Sequence, residues 1–164
     1  MISRSIYVNE PDNFPKKLRE AAGENPVFLC VGDPSVPEEC VAPYAGTLIS
    51  SLPVFCYGTR EKPLLRRNVP IVREFVSAMH PNSRAVVICS ATGDSSGRGC
   101  LRIETGNPDL LPQTPFELYA LGDLRLIALS PYCCPEPFDD EISRKTQAKA
   151  LSDLIADVIF QTYV

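Results

Sequence analysis

Four short apolar runs, closed by Gly, Pro or polar turns, constrain this chain more than any other feature. They are Val27-Phe-Leu-Cys-Val31, Pro53-Val-Phe-Cys-Tyr57, Arg84-Ala-Val-Val-Ile-Cys89 and Leu124-Arg-Leu-Ile-Ala-Leu129. Runs of this length with little alternation read as strands buried on both faces, the habit of parallel strands covered by helices. Helical patterns lie between them, over 39–51, over 68–79 and from about 139 to 163, with a shorter one over 14–22. Strands and helices in alternation predict a three-layer α/β/α sandwich with a mostly parallel sheet. The 164 residues suffice for one core, so the expectation is a single α/β domain over 1–164. Residues 1–25 would form an N-terminal arm and short helix, and 26–163 the core.

Local signals refine this outline. Pro15 suits a first helical turn and Gly23 a helix stop. Asn68 suits an N-cap, and Ile71, Val72, Phe75, Val76 and Met79 recur at helical spacing, predicting a buried stripe. Cys100-Leu-Arg-Ile-Glu104 alternates, so a half-exposed edge strand is expected there. The Pro-rich connection over 106–121 is long for a small domain, which marks it as a candidate functional segment.

Composition narrows the function classes. Sixteen Lys and Arg against twenty Asp and Glu leave a net charge of -4, which argues against a dedicated nucleic-acid binder. No apolar run approaches the roughly 18 residues of a membrane span. The N-terminus lacks the apolar core of a secretory signal, so a cytoplasmic location is expected, with the seven cysteines reduced. None of them forms a C-x-x-C pair. Cys30 and Cys56 lie in apolar runs and read as packing residues. The single histidine, His80, precedes the run 84–89 and belongs near the amino ends of the strands. Six strand residues span roughly 20 Å, so His80 is a poor partner for a nucleophile at the opposite edge.

In open α/β sheets, ligands bind outside the carboxyl ends of the parallel strands. The loops expected there cover 32–39, 58–67, 90–99 and 130–139, and carry Asp33, Glu38, Glu39, Arg60, Lys62, Arg66, Arg67, Asp94 and Cys133-Cys134. Glu38 and Glu39 suit the positive end of a helix dipole; facing the edge, Glu39 could instead act as a general base or metal ligand. Cys89 could pack at its strand end, or present a thiolate if Lys62 or Arg66 lowered its pKa. Thr92-Gly-Asp-Ser-Ser-Gly-Arg-Gly99 resembles a phosphate loop but lacks the P-loop spacing and lysine, and it leads into a strand. Arg60, Lys62, Arg66 and Arg67 form a basic cluster that reads as a solvated loop or as a site for an acidic partner or peptide carboxylate.

These loops also carry a resemblance. Val27-Phe-Leu-Cys-Val-Gly-Asp33, then Pro37-Glu-Glu-Cys-Val-Ala-Pro43, Gly46-Thr47, Tyr57-Gly58-Thr59 with Pro63, His80-Pro81-Asn82 and Gly122-Asp123 follow one another in a familiar order and spacing. Over roughly 26–160 the chain resembles the YyaC-like sporulation proteins of spore-forming bacteria. Those proteins are similar in fold to the germination protease and the hydrogenase-maturation peptidases. The resemblance implies a peptidase-like fold, a role in sporulation and a forespore location. In the peptidase relatives, acids at two strand ends carry aspartate-type catalysis or bind a metal. Glu39 stands at the first of those positions. At the second, where the family has Asp-Ala-Cys-Leu-Gly, this chain has Cys89-Ser90-Ala91-Thr92-Gly93. A thiol cannot share a proton as a carboxylate dyad does.

The leading expectation is therefore a peptidase-like fold with a degraded site that binds a peptide or protein through Asp33, Glu38, Arg60, Lys62 and Arg66. A second reading keeps hydrolysis, with Glu39 paired to Asp94 or, less suitably placed, Asp123. A third makes Cys40, Cys89, Cys133 and Cys134 a thiol redox or metal site suited to zinc or Cu(I). No resident cofactor is expected. A metal, if bound, would sit at Glu39 or on those thiols.

Overall fold

The computed structural model describes residues 4–7, 13–36, 39–92, 100–105, 124–130 and 141–164. In chain order its elements are β1 (Arg4–Tyr7), α1 (Phe14–Ala22), β2 (Val27–Cys30), α2 (Val41–Ile49) and β3 (Phe55–Tyr57). A 3-10 turn (Arg66–Asn68) then leads into α3 (Val69–Met79), β4 (Ala85–Thr92), β5 (Cys100–Thr105), β6 (Leu124–Ser130) and α4 (Glu141–Tyr163). The strands form one sheet in the order β1-β5-β6-β4-β2-β3. β3, β2, β4 and β6 are mutually parallel, whereas β5 and β1 add antiparallel at one end. The expected α/β sandwich with a mostly parallel sheet is the fold observed.

The pleat sorts side chains onto two faces. Phe28 and Cys30 of β2, Val86 and Ile88 of β4, and Leu126 and Ala128 of β6 pack against α1, α2 and α4. Val27, Leu29, Val87, Cys89 and Ile127 point the other way, into a smaller core with Leu64 and Val76. Strands buried on both faces need no polar side, which explains the unbroken apolar runs.

The long final helix is fastened at its C-terminal end. The Tyr163 ring meets Phe28 edge-on at 5.9 Å, and its hydroxyl donates to the Gly23 carbonyl at 3.0 Å. The Arg19 guanidinium lies over the same ring and donates to the Thr162 carbonyl. Burial pushes the Tyr163 phenol up to about 12, with Arg19 opposing the shift.

Four expectations are corrected. The run 53–57 is not a buried central strand: β3 is only Phe55–Tyr57, it lies at the sheet edge, and Phe55 is exposed. The stripe on α3 is not buried as a whole. Val76 is buried and Val72 half-buried, but Ile71, Phe75 and Met79 are exposed, because helical spacing gives a helix an apolar side without fixing how much of that side the sheet covers. β5 is not an edge strand, since β1 from the N-terminal arm pairs outside it through Ile6 and Ile103. Arg102 of β5 is accordingly buried, beside Leu101 and Ile103. Finally, α2 begins at Val41, so Glu39 lies in the turn before the helix. The connection 106–121 lies outside the described residues.

The topology places a switch point. From β2 the chain crosses through α2 on one face to β3; from β3 it crosses through α3 on the other face to β4, on the far side of β2. The next strand after β2 lies on one side of the β2–β4 pair and the next strand after β4 on the other, so the switch point falls at the carboxyl ends of β2 and β4, where α/β sheets hold ligands.

Candidate functional site at the carboxyl ends of β2 and β4

The loop leaving β2 folds back upon its own start. The Gly32 N–H donates to the Leu64 carbonyl at 3.0 Å, and Val31 pairs with Leu64 as an isolated parallel bridge. A β-carbon at Gly32 would collide with the Glu39 carbonyl oxygen, so only glycine allows the loop to close here. Asp33 then turns the chain: its Oδ1 accepts the Ser35 N–H at 2.9 Å and the Ser35 hydroxyl at 2.6 Å. This is an Asx turn. The Ser35 bonds, with Arg67 nearby, hold the Asp33 carboxyl below its ordinary range.

Glu39 closes the loop. Its Oε2 accepts the Asp33 N–H at 3.1 Å, and its Oε1 meets Arg66 Nη2 at 3.1 Å. One carboxylate thereby ties the start of the β2 loop to the 3-10 turn that precedes α3. Both oxygens are engaged within the protein. The charged hydrogen bond and ion pair are partly solvated, so the Arg66 contact is worth on the order of 1 kcal/mol or less.

The basic cluster is similarly drawn into structure. Arg60 lays its guanidinium over the Tyr44 ring, 5.2 Å from the centroid, and the Arg60 backbone N–H donates to Thr47 Oγ1 at 2.9 Å. Lys62 donates its N–H to Thr59 Oγ1 at 3.1 Å and accepts the Thr59 N–H at 3.0 Å. The Lys62 and Arg67 side chains are exposed at this edge.

The same edge explains the recurrent Gly-Thr pairs. A β-carbon at Gly46 would overlap the Gly58 carbonyl oxygen, and one at Gly58 would overlap the Cys30 carbonyl oxygen. Gly58 also holds a φ of 94°, in the region L side chains avoid. α2 therefore lies directly on the end of β3, which lies directly on β2. Thr47 and Thr59 then hydrogen-bond the loop that follows.

Cys89 does not join Glu39. It is 2% exposed and packs in the apolar cluster with Val31, Leu64 and Val87 on the α3 side of the sheet. Cys40 is likewise buried, at the N-cap of α2 in the larger core. Cys30 and Cys56 lie 3.8 Å apart, sulfur to sulfur. The Cys56 thiol and complete burial push the Cys30 thiol well up, so it stays protonated. His80 caps the C-terminal end of α3, shares a 2.7 Å hydrogen bond between its Nε2 and the Tyr57 hydroxyl, and lies tilted against the Phe55 ring. That is a structural place, at the amino ends, as its sequence position implies. Glu38, Asp94, Asp123, Cys133 and Cys134 lie outside the described residues. Among the described residues, no group of three or more His, Cys, Asp or Glu is arranged to hold a metal.

One polar group at the switch point escaped the sequence reading. Ser90, next to Cys89, has a buried Oγ with no hydrogen-bond partner among the described residues. A hydroxyl interrupting an apolar strand at its carboxyl end was the signal.

None of the curated proteins matches the chain, and no helix among the described residues is long and apolar enough to cross a membrane. The family described as "Protein of unknown function (DUF1256)" matches residues 4–161, and with nearly its whole length covered the chain belongs to that family.

Proposed function

We propose that this chain is a sporulation-associated binding protein with a peptidase-like fold, whose β2 loop serves as a scaffold and not as a catalytic acid. The observation carrying the reading is the engagement of both Glu39 oxygens, by the Asp33 N–H and by Arg66. A general base must reach the proton it abstracts, whereas this carboxylate already closes a loop. The burial of Cys89 supports the same reading, because a thiol enclosed in apolar side chains lacks the solvent access of a reactive cysteine. The sporulation role rests on the resemblance of the loops around Gly46-Thr47 and Tyr57-Gly58-Thr59 to the YyaC-like proteins.

The chemistry left at the edge favours an acidic peptide. Lys62 and Arg67 are exposed there, and two neighbouring cations, Arg60 and Arg66, are held by Tyr44 and Glu39. Fluorescence anisotropy with a labelled Glu-rich peptide at low salt tests this. The expected result is saturable binding, weakened about tenfold or more by Lys62→Glu with Arg67→Glu and by added salt, because the attraction is screened. Cys89→Ser should leave it unchanged. An absence of binding, or binding indifferent to both charge reversals, contradicts the reading.

A further inference from the structure

We infer that the outward face of α3 is the contact surface of a two-fold symmetric dimer of this chain. The helix is held to the sheet mainly by Val72 and Val76, while Ile71, Phe75 and Met79 are 72%, 45% and 60% exposed. Beside them, at the sheet edge, Phe55 is 58% exposed. Ring contacts make the patch continuous. Phe55 lies tilted against His80 at 4.7 Å, His80 meets Tyr57 at 5.6 Å, and Tyr57 meets Phe75 edge-on at 5.5 Å.

The pattern is self-complementary. Ile71, Phe75 and Met79 are spaced i, i+4 and i+8, so the stripe is symmetric about Phe75. A second copy related by a two-fold axis through that point runs its α3 antiparallel. Phe75 then meets Phe75, and Ile71 of each copy meets Met79 of the other. An isologous interface requires this kind of self-matching. Arg73 and Glu74 on the same helix leave the surface without a net charge that would select a strongly charged partner.

The area is sufficient. With a fully exposed aromatic presenting about 150–250 Å², the four side chains together expose on the order of 500 Å². That lies toward the upper end of the roughly 300–600 Å² typical of the largest patch on a monomer. Two copies would bury about 1,000 Å² from these residues alone, the threshold of a specific interface, before Tyr57, Val72 and His80 are added. Among the described residues β3 is the last strand on its side of the sheet, so none of them places a further strand between the two patches.

Sedimentation equilibrium on the full chain over a micromolar concentration range tests the inference independently of peptide binding. The expected mass is that of two 18.0 kDa chains. Phe75→Glu should weaken association at least a hundredfold and return the mass of one chain, with the far-UV circular dichroism unchanged. Should Phe75→Glu fail to fold, Ile71→Glu, at a more exposed position, is expected to give the same dissociation. Phe160→Glu, on the exposed face of α4 in the opposite layer, should leave the dimer intact. A wild-type chain that remains 18.0 kDa throughout, or an oligomer that survives both α3 substitutions, overturns the inference.

Discussion

Gly58→Ala is expected to destabilise the protein by about 2–5 kcal/mol. Two effects add. An alanine at φ 94° carries a left-handed penalty of roughly 1–2 kcal/mol. Its β-carbon would also overlap the Cys30 carbonyl oxygen, which belongs to the backbone of β2 and cannot swing away as a side chain could. Overpacking of that kind costs about 1–3 kcal/mol. Moving Gly58 disturbs Gly46, whose Cα rests on the Gly58 carbonyl, so α2 would lift from the sheet. Gly23→Ala supplies the control. Gly23 has a φ of 82° and a ψ of -169° but open space where a β-carbon would go, so only the conformational penalty, about 1–3 kcal/mol, applies. At about 2–4 °C per kcal/mol for a chain of this size, Gly58→Ala should lower Tm by roughly 10 °C and Gly23→Ala by a few degrees. Thermal and urea melts compare the two. Equal losses would show that the packing of α2, β3 and β2 through bare glycines is not what holds this edge.

Phe28→Ala is expected to cost a similar amount, about 3–5 kcal/mol, for a different reason. Phe28 lies in β2, between β3 and β4, and is completely buried under the helical layer, with the Tyr163 ring against its edge. Removing the ring leaves a cavity that the sheet cannot close, because hydrogen-bonded strands flank it on both sides. Phe160→Ala removes the same ring from the exposed face of α4 and should change stability by less than about 0.5–1 kcal/mol. Urea unfolding at neutral pH distinguishes them. If the two substitutions cost alike, the assignment of the core to the α1, α2 and α4 face is wrong.

The parts of the fold that were legible in the sequence are those where one physical signal acts alone. The runs at β2, β4 and β6 are apolar on both faces because helices cover both faces, and they were read correctly. α1 was bounded correctly by Pro15 and Gly23, whose backbone preferences are local. β3 misled because Val54, Phe55 and Tyr57 have the apolar character of a central strand, while edge position is a property of the whole sheet. α3 misled in the same way. Apolar spacing shows that a helix has an apolar side, not that the same chain covers it. β1 was missed because four residues of an N-terminal arm acquire strand character only by pairing with β5.

The candidate site was legible in its place but not in its bonds. Chain order put Asp33, Glu39, Arg66 and Arg67 at one sheet edge, and they lie there. That Glu39 would spend both oxygens on Asp33 and Arg66 depends on the loop closing over Gly32, which no local pattern announces. The family-like Gly-Thr pairs were visible as motifs. Their role, bringing α2, β3 and β2 into backbone contact, emerges only in three dimensions.

The most direct test of the central claim is a cleavage assay, with small acid-soluble spore proteins and an unstructured peptide as substrates, for the wild-type chain and Glu39→Gln. Neither protein is expected to cleave above the protein-free blank, and Glu39→Gln should remain folded because one carboxylate contributes only modestly to a partly solvated loop. Cleavage by the wild-type chain that disappears in a folded Glu39→Gln protein would contradict it, and would make Glu39 a catalytic acid or base.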